Sequence, residues 1–151
     1  MKVYKLIVTI VFAIIPIFIF AENDFDEFAD RPRDVSFYPL LSADNYSFDF
    51  GEIDKNKGVV KHRFIIKNTG NKPLIIIGGA SSCGCTKVKF SKKPIKKGKT
   101  GWVEISFDPR TKTGTFSHFG TITTNAYNKQ TNKQNLVVRF FIEGVIKDSK
   151  N

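Results

Sequence analysis

The residues with the most distinctive chemistry are Ser82-Cys83-Gly84-Cys85-Thr86, a run that holds both cysteines of the chain. Two thiols two residues apart, with glycine between them, are open to three readings. They can join as a disulfide within one loop. Closing a three-residue ring stabilises by only ~1.6 kcal/mol of loop entropy, against ~3 kcal/mol for a 15-residue loop. So tight a ring is also prone to strain, which eases reduction. Such a bond would be a loop clamp or a redox element rather than a main source of stability. As thiolates, the pair suits a soft ion such as Cu(I), with His62 or His118 adding a nitrogen. Two thiols fall short of the four ligands of structural zinc. The third reading is two plain buried thiols. His62 lies on the apolar face of its segment and His118 follows the start of another, and for each a half-buried packing role is the simpler account.

Directly after the thiols come Lys87, Lys89, Lys92, Lys93, Lys96, Lys97 and Lys99, seven lysines in thirteen residues. A stripe of this density attracts polyanions. Lysine also dominates the 24 basic residues of the whole chain, so the stripe partly reflects overall usage. It contains no arginine and, apart from Phe90, no aromatic residue, so it lacks the stacking platforms that hold single-stranded nucleic acid. Gly78-Gly79 and Gly98-x-x-Gly101 have neither the spacing nor the following helix of a phosphate loop. No spacing supports a Ser-His-Asp set drawn from Ser81 or Ser82, His62 and Asp108. The expectation is a protein that is not an enzyme and needs no cofactor.

The elements that must carry these residues have a period of two. The chain has 151 residues, 41% of them hydrophobic, with 15 Phe and a formal charge of +10, a composition that fits one globular domain. Ser47-Phe48-Asp49-Phe50 alternates and stops at Gly51. Val60, His62, Phe64 and Ile66 alternate with Lys61, Arg63 and Lys67, and Asn68-Thr69-Gly70-Asn71 ends that strand as a turn. Leu74 to Ile77 is wholly apolar and closed by Gly78-Gly79, as expected of a strand covered on both sides. Further strands centre on Val88 and Phe90, on Val103, Ile105 and Phe107, on Phe116, Gly120 and Ile122, and on Val138, Phe140 and Ile142. About seven short strands separated by turns, with no helical period, predict an all-β fold, an antiparallel β-sandwich. Most of the Phe residues are then core and need no ligand.

The chain opens with Lys2 and Lys5, an uncharged apolar run from Leu6 to Phe20, and Ala21. A short basic start, an apolar centre and a small residue at the boundary make residues 1–21 a secretory signal. The run is too short, and interrupted by Pro16, for a membrane span. Residues 22–43 form an acidic lead-in, and 44–148 the sandwich domain. The mature protein is thus expected in the periplasm or outside the cell, without a transmembrane anchor, where both cysteines meet oxidising conditions. Export also argues against nucleic acid, leaving another envelope protein or an acidic envelope polymer as the expected partner.

Several of these residues recur together in a recognisable order. Phe48-x-Phe50-Gly51-x-Ile53, Gly58-x-Val60-x-His62-x-Phe64-x-Ile66-x-Asn68-Thr69-Gly70-Asn71-x-Pro73-Leu74-x-Ile76, Ser82-Cys83-Gly84-Cys85-Thr86, Phe107-Asp108, Gly114-x-Phe116 and Thr124-Asn125 stand in sequence. The pattern, over about residues 44–146, resembles a bacterial exported domain-of-unknown-function family, number 1573. That family has a Cys-Gly-Cys-Thr signature and looks related to hydin-type immunoglobulin-like domains. The resemblance implies an immunoglobulin-like sandwich and an exported protein, and it supplies no activity. One departure is Lys97, where the family usually has Pro before the Gly at 98; this substitution is expected to loosen the turn. The role that fits these readings is a non-enzymatic binding or structural module of the cell envelope. Thiol–disulfide redox work or copper binding at Cys83 and Cys85 is the alternative.

Overall fold

A computed structural model describes residues 34–148. The signal at 1–21 and the acidic residues up to 33 lie outside the described residues. Eight strands form, one more than the alternation predicts: β1 (Leu41–Ala43), β2 (Ser47–Asp54), β3 (Val60–Asn68), β4 (Ile76–Ser81), β5 (Thr86–Phe90), β6 (Thr100–Phe107), β7 (Gly114–Thr124) and β8 (Val137–Lys147). They build two four-stranded sheets in the orders β1-β3-β6-β5 and β2-β8-β7-β4. The extra strand, β1, lies in the stretch read as lead-in and pairs antiparallel with the end of β3, Leu41 opposite Asn68.

Alternation decides which way each strand faces. Phe64 and Ile66 of β3, Val103, Ile105 and Phe107 of β6, and Phe140, Ile142 and Ile146 of β8 are buried and meet in one core. Period-two spacing puts every second side chain on one face, so two such faces close against each other and leave the intervening Lys61, Arg63 and Lys67 in solvent. Phe64, Phe107, Phe116 and Phe140 are core as expected, whereas Phe37 and Phe141 are exposed.

Three expectations need correction. First, the sheets are not wholly antiparallel, because β2 runs parallel to β8. Second, Gly51 does not end β2. It takes a φ of +64°, a value open to glycine, and Asp49 Oδ1 accepts its N–H at 2.7 Å. The register shifts between Asp49 and Glu52, and pairing resumes through Ile53, which is buried. Third, Leu74–Ile77 is not a strand covered on both sides. Leu74 and Ile76 are buried, but Ile75 and Ile77 are exposed, and the strand continues through Gly78-Gly79 to Ser81 as the edge of its sheet. The turn carrying Lys97 closes despite the missing Pro: Lys99 N–H donates to Lys96 O at 3.0 Å, with Gly98 at φ +71°.

Order along the chain fixes where the cysteines fall. β4 is an edge of one sheet and β5 an edge of the other, so residues 82–85 form the crossover that joins the two sheets at one side of the sandwich.

Candidate functional site

The crossover is anchored from both sheets. Ser82 N–H donates to Phe119 O at 2.9 Å, and Phe119 N–H donates to Ser82 Oγ at 3.0 Å, tying it to β7. Asp108 N–H donates to Cys85 O at 2.9 Å, tying it to the end of β6. Ser81 Oγ and Thr86 N–H both donate to Cys83 O, at 3.1 and 3.2 Å. The backbone is therefore held in place before any contribution from sulfur. Gly120 lets the sheets close beneath it, since a Cβ there would stand 2.6 Å from Val88 Cγ2.

Of the three readings of the thiols, the joined one is found. Cys83 and Cys85 are at disulfide distance, Sγ–Sγ 2.00 Å, with Cα atoms 5.3 Å apart. Thr86 Oγ1 lies 3.3 Å from Cys83 Sγ and 3.9 Å from Cys85 Sγ, and the residue is buried. His118 Nε2 lies 3.8 Å from Cys85 Sγ. The two sulfurs and a histidine nitrogen thus lie within 4.8 Å of one another. Reduced, they would offer two soft donors and one borderline donor to an ion such as Cu(I); joined, the sulfurs are not thiolates.

The two histidines part company. His118 on β7 faces the crossover and packs against Phe107, ring centroids 5.1 Å apart. His62 on β3 stacks on Phe48 at 3.6 Å and meets Phe64 edge-on at 4.7 Å, and it is not in the sulfur cluster. Its place is the packing role the sequence favours.

Burial pushes both rings below the ordinary histidine value of 6.5, and Lys112 adds to the shift at His118. The unfolded chain therefore takes up protons at a pH where the folded rings stay neutral. Stability is complete above the ordinary histidine range and falls as pH drops from about 6.5 toward the lowered folded values. Urea unfolding between about pH 7.5 and about pH 5.5 is expected to show that decline, and a His62→Leu/His118→Leu double variant to flatten it. An unchanged slope in the double variant would assign the decline to other groups.

The lysines divide among three places. Lys87 and Lys89 project from β5 into a groove of about 900 Å³ that the disulfide also lines. Lys92 and Lys93 border a second hollow beside Trp102, which Lys89 shares with the groove, and Lys92 Nζ is 4.0 Å from the centre of the Phe90 ring. Lys96, Lys97 and Lys99 are exposed on the turn before β6. Proximity in sequence suggested one stripe, but the strand–turn–strand path separates it.

The groove has cations that the stripe did not include. Lys61 from β3 and Arg110 and Lys112 from the segment after β6 join Lys87 and Lys89 along its walls. Two carboxylates lie among them, and both are engaged. Glu104 accepts from Arg63 Nη2 at 2.8 Å, which lowers its pKa. Asp108 accepts from Arg110 Nε at 2.9 Å and Nη2 at 2.6 Å, which holds its carboxyl at about 2. Among the described residues, Lys61, Lys87, Lys89 and Lys112 have no ion-pair partner. Sequence reasoning had the alternation that exposes Lys61. It had no signal for Arg110 and Lys112, whose position depends on how β6 hands over to β7.

A family model described as protein of unknown function (DUF1573) matches residues 41–138. No curated protein matches the sequence. A protein of unknown function from Porphyromonas gingivalis W83 is similar in structure, with a TM-score of 0.59 at 16% identity, covering 74% of this chain and 48% of that one. PapD-like domain 7 of human CEP192, an ASH domain, matches with a TM-score of 0.58 at 12% identity over 75% of this chain and 89% of that one. The VesB protease of Vibrio cholerae matches with a TM-score of 0.56 at 15% identity over 70% of this chain and 32% of that one. The chain thus spans about half of the Porphyromonas protein and a third of the Vibrio one. These likenesses show the fold, an immunoglobulin-like and PapD-like sandwich.

Proposed function

The chain belongs to the DUF1573 family, a family of proteins of unknown function, so its role has to be read from its own surface, and we propose that it is an exported, non-enzymatic binding module of the cell envelope. The contact surface is the groove beside the Cys83–Cys85 crossover, and the partner is an acidic envelope polymer or the acidic face of an envelope protein. The observation that carries this reading is the charge in the groove. Five cationic side chains line it against two carboxylates, and each carboxylate is already held by an arginine. Lysines outside any ion pair, in excess over the carboxylates along a concave wall, raise the local concentration of anions. The disulfide and the hydrogen bonds from both sheets keep that wall in one shape, which limits the ordering cost of binding. Export rests on the reading of residues 1–21 as a signal. It predicts that protein recovered outside the cytoplasm lacks their mass.

Binding to polygalacturonate, a defined anionic glycan, tests the surface. Affinity is expected to weaken at least ~10-fold between about 50 mM and about 300 mM salt, since exposed charges are screened over a Debye length of ~10 Å at 0.1 M. Replacing Lys61, Lys87, Lys89 and Lys112 together by Gln is expected to remove the binding, whereas Lys129→Gln/Lys133→Gln, outside the groove, leaves it. Affinity indifferent to salt, or equal loss in both variants, would contradict the reading.

A further inference from the structure

We propose that the Cys83–Cys85 bond is a thiol–disulfide exchange centre for acidic peptidyl thiols, with Cys83 the sulfur attacked and Cys85 the sulfur that departs. The proposal deepens the binding reading, since it rests on the same cationic groove. A disulfide kept only for stability would be expected to close a long loop, but this one closes a ring of three residues whose backbone is already tied to Asp108 at Cys85 and, through the preceding Ser82, to Phe119. Both cysteines line the groove and are half-buried, Cys85 against the core, which leaves Cys83 the sulfur an incoming thiol would approach. Lys61, Lys87, Lys89 and Lys112 would gather thiols that carry carboxylates, and the cations around the sulfurs favour thiolates over thiols.

The surroundings of the two sulfurs differ. Cys85 Sγ has His118 Nε2 at 3.8 Å and Thr86 Oγ1 at 3.9 Å; among the described residues Cys83 Sγ has one hydrogen-bond contact, Thr86 Oγ1 at 3.3 Å, with His118 Nε2 farther off but within 4.8 Å. Exchange is faster when the leaving sulfur is the better-stabilised thiolate. An incoming thiolate attacks Cys83 Sγ, the Sγ–Sγ bond breaks, and its electron pair goes to Cys85 Sγ, which accepts from His118 in the tautomer with the proton on Nε2. A second thiolate then attacks the substrate sulfur of the mixed disulfide and releases Cys83 as a thiolate. Two thiols are oxidised to one disulfide, the protein pair is reduced, and the two protons the thiols gave up end on Cys83 and Cys85.

The test measures reduction of the full-length mature protein by glutathione, by a glutamate-rich peptide with one cysteine, and by the cationic thiol cysteamine. Each rate is divided by that thiol's rate with a small-molecule disulfide. The acidic thiols are expected to be at least ~10-fold favoured over cysteamine at about 50 mM salt, with the advantage lost at about 500 mM. A faster peptide assigns the natural thiol to a protein, and equal rates assign it to a small molecule. With oxidised glutathione in place of the thiols, Cys85→Ser is expected to form a mixed disulfide on Cys83 with release of one glutathione thiolate, seen by intact mass, and Cys83→Ser to react at least tenfold more slowly. His118→Gln is expected to slow reduction of the native bond about tenfold yet leave trapping by the Cys85→Ser protein unchanged, which a merely structural role would not do. No preference for acidic thiols, or trapping equally fast in both serine variants, overturns the proposal even if the glycan binds. Failure of glycan binding with the thiol preference intact overturns only the wider binding reading.

Discussion

Asn68→Ala is expected to cost the sandwich at least ~3 kcal/mol, a large part of the ~5–15 kcal/mol that holds a domain folded. Asn68 is fully buried at the end of β3, and its amide is spent on backbone groups with few other partners. Oδ1 accepts from Gly70 N–H at 2.9 Å and from Leu40 N–H at 3.4 Å, and Nδ2 donates to Lys72 O at 2.7 Å and to Ile95 O at 2.9 Å. One side chain thus fastens the approach to β1, the turn after β3 and the strand-like bridge of Leu74 with Ile95. Alanine leaves the buried Gly70 N–H without its partner and takes one from Leu40 N–H, Lys72 O and Ile95 O, the last of which keeps Leu74 N–H. Each unpaired group that water cannot reach costs ~1–3 kcal/mol. Gly70 shows how closely the segments fit, since a Cβ there would overlap Tyr38 O and Leu40 N and stand 2.9 Å from Pro39 C. Asn68→Asp keeps Oδ1 but sets a second oxygen against two carbonyls, so it is expected to be no milder. Urea unfolding of the three proteins decides; a loss below about 1 kcal/mol for alanine would mean that the network is not cooperative.

Phe107→Ala is expected to cost about 3–5 kcal/mol, the range for emptying a phenylalanine site in a close-packed core. Phe107 is fully buried, stacks on Phe116 at 4.4 Å and supports His118 at 5.1 Å. It is therefore also the link between core and crossover, because the next residue, Asp108, donates its N–H to Cys85 O. Besides the loss in urea, the His118 ring should titrate closer to the ordinary 6.5, since burial is the main cause of its lowered value. Phe107→Leu, nearer in volume, should recover part of both effects. A Phe107→Ala protein with full loss of stability but an unmoved His118 titration would separate the site from the core beneath it.

How much of this was legible in the sequence varied by element. Strands β3, β6 and β8 were plain because an apolar residue recurs at every second position of each, even where the outer face of β8 also carries Val137, Phe141 and Val145. β1 has only three residues, Leu41-Ser42-Ala43, and gains its place by pairing with β3, a contact no local pattern announces. Glycine misled twice. Gly51 reads as a stop but serves as a bulge, and Gly78-Gly79 reads as a turn but lies within an edge strand, where Gly79 leaves room for the Phe90 ring, 3.0 Å from where a Cβ would be. The parallel pairing of β2 with β8 joins the two ends of the domain and has no local signature.

The candidate site was legible in its sulfurs and not in their neighbours. Cys83 and Cys85 stand out by spacing alone. His62 and His118 look alike in sequence, and only the placement of β7 beside the crossover shows that His118 is the one near sulfur. Asn68 reads as a turn residue, and its burial follows from three segments converging on it. The lysine stripe was visible, but its division between groove, hollow and turn, and the cations it gains from Lys61, Arg110 and Lys112, are products of the fold.

Backbone amide shift mapping with polygalacturonate asks most directly whether the groove is the working surface. Added at low salt, the glycan is expected to move the amides of Cys83, Cys85, Lys87, Lys89, Arg110 and Lys112, and to leave the outer face of β8 around Phe141 and Val145 still. Shifts centred on Phe141 and Val145, or spread evenly over every exposed lysine, would contradict the account.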